Sequence, residues 1–462
     1  MTKKGVEKEI LNSSLRDPGG FLYYKNGVLY RQINKTYREE YDYFISSGLY
    51  DRLIKEKLLI FHTEEDICNA FNVDSAYKII RPKIVSFISY PYEWCFSALK
   101  DAGLLVLKIE KLALQYGMTL KDATAYNVQF VEGKPIFIDT LSFKRYLKGE
   151  PWMAYRQFCE NFLGPLALAS FKSPQLIKLL RLYVNDVPLR LFSDLLPVRT
   201  FWRFGLLVHI HLHAKATSYF SNAIRNVTYS MKLSALMRIL DSLSSTMKNI
   251  RLKSGDDLWL NYYMTSSYST QEMAEKKETV FRFLKIVNPR TIWDIGGNIG
   301  IFSRLFDSQD VSIISFDNDH ACIEYSYAIM KEKNEKNILP LVMDIMNPSP
   351  SVGWENRERL SFKERGPVDV VLIIAFVHHL VVYYNVPIEK IACFLSEIGN
   401  SIIIEFVSKD DQQFEKLAST RKDSFADYNQ DYFELVFSRY FIIKERRYLS
   451  GSQRVLYLMI KK

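Results

Sequence analysis

The chain has 462 residues and a formal net charge of +9 at pH 7, and 48% of its residues are hydrophobic. This length is too great for one small module, and the composition excludes a disordered or collagen-like chain. The five cysteines form no CxxC pair, which argues against a zinc ribbon, a redox motif or a disulfide framework and fits a reducing cytoplasm. No stretch approaches the roughly 18 uncharged apolar residues of a membrane-spanning helix, so we expect a soluble, cytoplasmic protein.

Basic residues are concentrated in one part of the chain. Residues 151–250 have a net charge of +8, whereas residues 251–462 have a net charge of −2. Such an excess can attract nucleic acid, anionic lipid or an acidic polymer. A helical surface that happens to be rich in Lys and Arg has the same pattern, and the sequence leaves these alternatives open.

The first 250 residues predict an α+β domain, with its sheet early and its helices late. Short strand candidates precede a long helix near 94–117, and a polar loop, a strand pair and mostly helical sequence follow to about 245. The strand candidates are GFLYYKNGVLYRQI, KLLIF and KIVSFIS, and the pair is VQFVEGKPIFID. Because a polar, Ser- and Thr-rich stretch comes next, we predict a first domain at 1–250, a linker at 251–275 and a second domain at 276–462.

From residue 276 onward, helices alternate with strands that are apolar throughout. This alternation is typical of an α/β domain whose mostly parallel sheet has helices on both faces. Two strand candidates at the end of the sequence, FELVFSRYFIIKERRYL and RVLYLMIKK, predict an antiparallel hairpin at the sheet edge. The predicted helices are KKETVFRFLKIV, a segment from about Ile299, HACIEYSYAIMKEK and residues 387–398, and the predicted strands are TIWDI, SIISFD, ILPLVMD, VDVVLIIAF and SIIIEFV.

Glycines and acidic residues follow the first three strands of the second domain. The segment DIGGNIG at 294–300 joins the first strand to the next element, Asp317 ends the second strand, and Asp344 ends the third. All of them fall at the carboxyl edge of one sheet, where ligands of open α/β sheets bind. Glycines allow a ligand to approach the backbone closely, and a carboxylate can accept hydrogen bonds from both hydroxyls of a ribose. Asp294 would repel a pyrophosphate, so the pattern favours a cofactor without phosphates over a dinucleotide.

On these motifs, residues 276–410 resemble the class I S-adenosylmethionine-dependent methyltransferases. The resemblance implies a Rossmann-like fold and S-adenosyl-L-methionine as the cofactor. It implies that the glycine turn passes beneath the methionine end of the cofactor, that Asp317 holds the ribose, and that Asp344 and Ile345 flank the adenine. The cofactor-binding residues implied in this way are Asp294, Gly296, Gly297, Asn298, Gly300, Asp317, Asp344 and Ile345.

The fourth strand of this domain ends in Ala375–Phe376–Val377–His378–His379–Leu380. This segment resembles the His-His-Leu of many small-molecule methyltransferases. A histidine near the donor methyl group could take a proton from an attacking hydroxyl, since its reference pKa of about 6.5 suits a general base at neutral pH. His378 and His379 are therefore the candidate catalytic residues. The alternative is that they cap the strand and bond a loop.

A second constellation lies in the first domain. Asp122 and Asn127 are five residues apart, and Asp139 follows twelve residues later. The spacing resembles that of protein kinases and aminoglycoside phosphotransferases, in which the first Asp contacts the substrate hydroxyl while the Asn and the second Asp hold Mg²⁺. The resemblance implies a kinase-like domain. If its site is active, it would bind ATP and Mg²⁺, with Asn127 and Asp139 as the metal ligands.

The remainder of the kinase pattern is incomplete. No G-x-G-x-x-G loop is present, and Arg31 stands where a nucleotide-binding lysine is expected. Glu39 or Glu40, on the next predicted helix, could pair with Arg31. Arg cannot simply replace a lysine that contacts phosphates as a compact point charge, so a degenerate, substrate-binding site is an alternative to phosphotransfer.

Three histidines alternate in VHIHLHAK, as His209, His211 and His213. On a strand they would share one face and could bind a metal, but the surrounding sequence predicts a helix, on which only His209 and His213 align. We expect ordinary core or surface histidines.

The phrases YPYEWCFSALKDAGLL (90–105), GMTLKDATAYNVQF (117–130) and PWMAYRQFC (151–159) resemble a bacterial family of nodulation-protein-like methyltransferases, and the likeness covers most of the chain. We predict an enzyme that transfers a methyl group from S-adenosylmethionine to an oxygen of a carbohydrate or glycan-type acceptor. The kinase-like domain would bind or phosphorylate that acceptor. The alternatives are an RNA- or ribosomal-protein-directed methyltransferase that docks on nucleic acid through residues 151–250, and a bifunctional kinase/methyltransferase.

Overall fold

The computed structural model describes residues 8–220, 230–252, 270–306, 310–419 and 428–462. The chain divides into two compact units, Met1–Lys253 with Ser351–Arg359, and Ser254–Pro350 with Leu360–Lys462. The division near residue 253 falls within the predicted linker at 251–275, of which residues 253–269 lie outside the described residues.

The segment Ser351–Arg359 belongs by its contacts to the first unit, although the predicted boundary at residue 276 assigns it to the second domain. Glu358 forms an ion pair with Arg16, with 2.5 Å between Oε1 and Nε. The guanidinium of Arg359 lies over the ring of Tyr126, 4.6 Å from its centroid. These partners are distant along the chain, so no local pattern in the sequence indicates that Ser351–Arg359 packs with the first unit.

The first unit begins with a five-stranded antiparallel sheet of order β1-β2-β3-β5-β4. The predicted strand GFLYYKNGVLYRQI is confirmed as the β2–β3 hairpin, but KLLIF and KIVSFIS are not strands, and β4 and β5 lie beside them in sequence. A short apolar run cannot by itself be told from a buried irregular segment. The strands are β1 (Lys8–Ile10), β2 (Gly20–Lys25), β3 (Val28–Asn34), β4 (His62–Glu65) and β5 (Ala76–Pro82), with helices α1 (Arg38–Ser46) and α2 (Leu49–Lys55) between β3 and β4.

The predicted long helix is α3 (Phe96–Gln115), and the predicted strand pair is β7 (Val128–Val131) with β8 (Lys134–Phe137). A second pair joins β6 (Met118–Leu120) to β9 (Phe143–Arg145). The described part of the unit is then mostly helical, as predicted. Its helices are α4 (Tyr155–Phe158), α5 (Gly164–Phe171), α6 (Leu179–Leu182), α7 (Leu189–Leu195), α8 (Phe204–Leu206), α9 (His213–Phe220) and α10 (Leu233–Asn249), and π-helical turns at Cys159–Leu163 and Leu207–Leu212 join α4 to α5 and α8 to α9.

The second unit contains a seven-stranded sheet of order β12-β11-β10-β13-β14-β16-β15. The first five strands in this order are parallel, and β16 and β15 are antiparallel. This arrangement confirms the mostly parallel sheet and the antiparallel edge hairpin. The strands are β10 (Thr291–Ile295), β11 (Ser312–Asp317), β12 (Ile338–Val342), β13 (Val368–Ile373), β14 (Gly399–Val407), β15 (Phe441–Tyr448) and β16 (Arg454–Lys461).

Five α-helices of the second unit are described. They are α11 (Thr270–Val287), α12 (His320–Glu332), α13 (Ile388–Ile398), α14 (Gln412–Ala418) and α15 (Gln430–Phe437). The helix predicted from about Ile299 is wrong for the described residues there, since turns and a short 3-10 helix (Ser303–Leu305) follow β10. Gly300 has a φ of +78°, which is incompatible with a continuous right-handed helix. The predicted strand FELVFSRYFIIKERRYL is also too long, because its first part lies in α15.

Strand β10 lies between β11 and β13, so the chain leaves it in one direction across the sheet and later returns on its other side. Ligands of open α/β sheets bind at the carboxyl ends of the strands at such a switch point. Behind this edge, Lys276 of α11 and Glu405 of β14 form a fully buried ion pair with 2.6 Å between Nζ and Oε2. No helix in the described ranges is long and apolar enough to cross a membrane.

Candidate functional site

The turn after β10 is shaped by glycines. The backbone N–H groups of Gly296 and Gly297 both donate to the carbonyl of Phe316 on β11, at 2.9 and 3.0 Å. Gly296 has a φ of +73°, and a methyl group on it would stand 2.7 Å from the ring of Phe376. On Gly297 a methyl group would stand 2.4 Å from the hydroxyl of Ser315. Larger residues do not fit without rearrangement, so the turn presents bare backbone at the end of β10.

The side chain of Arg304 stabilises this turn through hydrogen bonds to its backbone. Its Nη1 atom donates to the carbonyl of Ile299 at 2.6 Å and to that of Gly300 at 3.2 Å, and its Nε atom pairs with Glu335 at 3.0 Å. The predicted site residue Asn298 has a φ of 50° within the same turn, and its side chain accepts a hydrogen bond from the Ile299 N–H at 2.7 Å. The turn is therefore held in one shape by groups on both of its sides.

Asp294 is the last polar residue of β10, and it is 2% exposed. Its carboxylate accepts a hydrogen bond from the hydroxyl of Ser303. Burial raises the pKa of Asp294 to about 6, and the charge of Asp317 adds to the rise, against the lowering effect of Ser303. A cationic ligand beside this buried carboxylate strongly stabilises its charged form.

Asp317 ends β11 beside the glycine turn. One of its carboxylate oxygens accepts the Asn298 N–H at 2.8 Å and the other accepts the Asp319 N–H at 2.9 Å. Each oxygen keeps a further lone pair, which is what two ribose hydroxyls require. Burial raises the pKa of Asp317 to about 6, although both backbone N–H groups lower it.

Asp344 and Ile345 follow β12 and are half-buried. One oxygen of Asp344 accepts the N–H of Met346 at 2.9 Å, and the N–H of Met343 donates to the carbonyl of Asp317 at 2.8 Å. The structure therefore places the three predicted acidic residues at consecutive strand ends along one edge of the sheet.

The two candidate catalytic histidines follow β13, across the switch point from the glycine turn. Their ring centroids lie 4.4 Å apart, and the ring of His379 stacks on Phe376 with 6.1 Å between centroids. His378 is 2% exposed, and its Nδ1 atom has no hydrogen-bond partner among the described residues. Burial lowers the pKa of His379 to about 4, and burial, with the charges of His379 and Lys276, holds the pKa of His378 well below its usual value. Both imidazoles are therefore uncharged at neutral pH.

Sequence reasoning missed the partners that complete this edge. Phe376 joins the glycine turn to His379, and Ser303 bonds Asp294. Neither residue carries a signal of its own, because a Phe after a buried strand and a Ser in a turn are ordinary.

In the first unit, the structure brings Asp122, Asn127, Asp139 and Arg31 together. Asn127 donates to the Ser142 hydroxyl at 3.2 Å, and that hydroxyl donates to Asp139. Burial raises the pKa of Asp122, and the charge of Asp139 adds to the rise, whereas a hydrogen bond from Asn127 opposes it. The four predicted residues thus form one polar cluster.

Arg31 pairs with Asp139, not with an acidic residue of α1. Its Nη2 atom lies 2.5 Å from Oδ1 of Asp139. Burial raises the pKa of Asp139, but the Arg31 guanidinium and the hydrogen bonds outweigh burial, so the net shift is downward. The predicted pairing of Arg31 with Glu39 or Glu40 is wrong, because both carboxylates bind Arg145, at 2.7 and 3.4 Å. Arg145 is the nearer cation because β9 runs beside α1.

This cluster does not fit a divalent cation as it stands. Both oxygens of Asp139 are engaged, one by Arg31 and one by the Ser142 hydroxyl, and Mg²⁺ would have to displace the guanidinium. No group of three or more His, Cys, Asp or Glu side chains in the described ranges could hold a metal ion.

The switch-point sheet, the glycine turn and the three strand-end carboxylates are the arrangement typical of a class I S-adenosylmethionine-dependent methyltransferase. The residues fit the cofactor, since the bare backbone turn and the buried carboxylate of Asp294 would suit its methionine part, and Asp317 could accept hydrogen bonds from two ribose hydroxyls. The chain belongs to the family of nodulation protein NoeA of Rhizobium meliloti strain 1021, with which it shares 32% identity over 452 residues, covering 96% of this chain and 94% of that protein.

No protein-family model matches the chain. Among solved structures, WbdD, which is described as a bifunctional kinase-methyltransferase, is 15% identical with a TM-score of 0.30, covering 43% of this chain and 42% of WbdD. The N-methyltransferase NodS of Bradyrhizobium japonicum WM9 is 11% identical with a TM-score of 0.31, covering 42% and 98%. The magnesium protoporphyrin IX methyltransferase ChlM of Synechocystis PCC 6803, solved with bound SAH, is 12% identical with a TM-score of 0.32, covering 45% and 94%. Similarities at these TM-scores carry no argument about the acceptor of this chain.

Proposed function

We propose that the chain transfers a methyl group to a hydroxyl oxygen of a carbohydrate or glycan-type acceptor, and that His379 is the general base. The observation that carries this proposal is the His379 ring stacked on Phe376, which itself covers Gly296 of the glycine turn. S-adenosylmethionine, when bound, supplies an electrophilic methyl group. The acceptor hydroxyl must then be positioned and must lose one proton, and a neutral imidazole can take that proton.

His379 and His378 have different roles in this proposal. His379 is half-buried and can reach a substrate, whereas His378 is 2% exposed. With 4.4 Å between the ring centroids, a charge on His378 would oppose protonation of His379. Burial keeps His378 uncharged, so that only His379 gains a proton during the reaction. His378 is therefore a positioning residue.

A pair of exposed tyrosines supports a carbohydrate acceptor. Tyr383 and Tyr384 lie four and five residues after His379, with side chains that are 59% and 39% exposed and ring centroids 4.7 Å apart. Tyr383 ends a π-helical turn that begins at His379, and such turns are frequent at functional sites. Aromatic rings offer an apolar face with a polar edge, which suits the mixed surface of a sugar.

For the first unit we propose a kinase-like domain that binds the acceptor without phosphorylating it. Asp122, Asn127 and Asp139 keep the spacing of a phosphotransfer site, but Arg31 occupies one metal-ligating oxygen of Asp139. Glu110 of α3 supports the loop that carries Asp122, since its two oxygens accept hydrogen bonds from Thr119 and Leu120 at 2.7 Å each. Hydroxyl groups of a sugar can bond these carboxylates and amides without a metal ion.

Radiolabelled S-adenosylmethionine and a panel of oligosaccharides test the main proposal. We expect labelled acceptor with the wild-type chain, and a loss of kcat of about 10²-fold or more with His379→Ala at unchanged S-adenosylmethionine affinity. Tyr383→Ala should raise KM for the acceptor with little change in kcat. The control is Tyr448→Ala, an exposed tyrosine on β15.

Methylation of RNA or ribosomal protein, with no labelled oligosaccharide, would overturn the proposed acceptor. Unchanged kcat in His379→Ala would overturn the base. A phosphorylated acceptor formed from ATP and Mg²⁺, and lost in Asp122→Asn, would overturn the binding role of the first unit and favour a bifunctional kinase/methyltransferase.

A further inference from the structure

An exposed apolar surface lies in the helical part of the first unit. Val198, Trp202 and Phe204 are 77%, 87% and 75% exposed. We name the whole surface the 195–212 patch, and its other exposed apolar members are Leu195, Phe201 and Leu212. Single exposed apolar side chains are ordinary, but a cluster of this kind marks an interaction site.

Buried contacts hold the 195–212 patch in a fixed shape. Thr200 is fully buried, and its hydroxyl donates to the carbonyl of Pro197 at 2.7 Å and lies 2.9 Å from Nε2 of His211. The ring of Phe201 stacks on His211 with 3.8 Å between centroids. A methyl group on Gly205 would stand 2.0 Å from the Thr246 hydroxyl, so the chain passes close to α10 at this point. The exposed rings are therefore presented by an anchored turn.

Positive charge is interleaved with these apolar residues. Arg199 and Arg203 alternate with them in the sequence VRTFWRF, and the Arg199 guanidinium lies 5.5 Å from the ring centroid of Phe171. The carboxylate of Asp194 is paired with Arg190 at 2.9 Å. The whole stretch 151–250 has a net charge of +8, so the patch lies in a region with an excess of positive charge.

We propose that the 195–212 patch docks on the surface of a lipid membrane that contains anionic headgroups. Trp and Phe side chains favour the boundary between headgroups and acyl chains, and Arg side chains favour the phosphates beside it. Trp202, Phe204 and Val198 enter that boundary, while Arg199 and Arg203 contact headgroup phosphates. The membrane is bound from one side.

Two other occupants fit less well. In a symmetric dimer, the patches of two copies would bring Arg199 and Arg203 against the same residues of the partner, where like charges repel. Nucleic acid would accept the arginines and stack on the rings, but it offers nothing to the aliphatic side chains of Leu195, Val198 and Leu212. A lipid interface accommodates all of these groups.

Vesicle flotation of the full chain tests this proposal. The probes are vesicles of phosphatidylcholine alone and vesicles of phosphatidylcholine mixed with phosphatidylglycerol. We expect flotation with the anionic vesicles that weakens as salt is added, and little with the neutral ones. Trp202→Ala combined with Phe204→Ala should weaken binding about tenfold or more, and Arg199→Gln combined with Arg203→Gln should weaken it and reduce its salt dependence.

Matched controls are Phe61→Ala with Ile84→Ala, two exposed apolar residues outside the patch, and Arg38→Gln with Lys83→Gln, two exposed cations. S-adenosylmethionine affinity and circular dichroism should be unchanged in every variant. Absence of flotation at low salt, or equal flotation of the Trp202/Phe204 variant and the wild type, overturns the proposal. Two further results overturn it if the wild-type chain does not bind vesicles. One is that the patch variants lose binding to single-stranded RNA, and the other is that they dissociate a dimer of the chain.

Discussion

At the scale of the residue, Asp294 illustrates a conflict between stability and ligand binding. Its carboxyl is buried, and burial raises its pKa from the usual 3.8 to about 6 in the folded chain. A raised pKa in the folded state means that the contribution to stability is present at low pH and is lost as the pH rises through about 6. At neutral pH the ionised carboxylate therefore destabilises the folded chain when no cation faces it. A cationic ligand offsets that destabilisation.

We predict that Asp294→Asn raises the free energy of unfolding of the ligand-free chain by about 1–3 kcal/mol at pH 7, because the amide keeps a bond to Ser303 without a buried charge. The same substitution should weaken S-adenosylmethionine binding at least about tenfold. Urea unfolding and calorimetry measure the two effects. The control is Asp431→Asn on α15, an exposed carboxyl, and a loss of stability in Asp294→Asn would contradict the prediction.

At the scale of the element, the turn after β10 depends on the absence of side chains. Gly296 combines a left-handed φ with a ring that covers the space of a Cβ atom. Gly451, between β15 and β16, has a φ of +75°, and its nearest neighbour is the flexible end of Glu272 at 3.0 Å. The two positions therefore share the same backbone penalty and differ in the steric clash.

We expect Gly451→Ala to lower the free energy of unfolding by about 1–2 kcal/mol, which is the penalty of the left-handed conformation. Gly296→Ala should lower it by about 2–4 kcal/mol, because the Phe376 ring must also move. It should weaken S-adenosylmethionine binding as well, which Gly451→Ala should not. Equal losses of stability in the two variants, with unchanged S-adenosylmethionine affinity in both, would contradict the prediction. That result would show that the Phe376 ring moves away from Gly296 at little cost.

The element scale also shows why motifs and partners differ in how well they can be predicted. The glycine turn and the three acidic residues follow strands whose apolar runs are evident in the sequence, and parallel strands end at one edge. Phe376 reaches the site from a later part of the chain, and Ser303 lies in the short 3-10 helix that follows the glycine turn. Neither residue has a pattern of its own. The predicted pairing of Arg31 with Glu39 or Glu40 was wrong, because both glutamates pair with Arg145 and Arg31 pairs with Asp139.

At the scale of the whole molecule, buried histidines make the stability depend on pH. His209 bonds Tyr155 and Ser242 through its two ring nitrogens, at 2.7 and 2.9 Å, and His62 is buried between Tyr41 and Tyr50. The contacts identify His209 as an ordinary core histidine, as expected from the sequence. Burial lowers the pKa of both histidines to about 4 in the folded chain.

Because the unfolded chain binds these protons at about pH 6.5 and the folded chain only at about pH 4, stability falls as the pH is lowered through that window. We predict a loss of up to about 3 kcal/mol for each of the two histidines between pH 7 and pH 4. Urea unfolding at a series of pH values measures the loss. His209→Gln, which can still form hydrogen bonds but does not titrate, should show a shallower dependence, and a flat profile in the wild type would contradict the assignment.

The sequence by itself determined the parallel sheet, its antiparallel edge and the residues at the carboxyl edge of the sheet, because strand periodicity, glycine turns and strand-end acids are local patterns. It also predicted an early sheet and late helices in the first unit. Only the tertiary structure decided that Ser351–Arg359 packs with the first unit, that Phe376 covers Gly296, and that Arg31 neutralises Asp139. These contacts join residues far apart in the chain, and their energies depend on burial and on competing partners, which no local pattern contains.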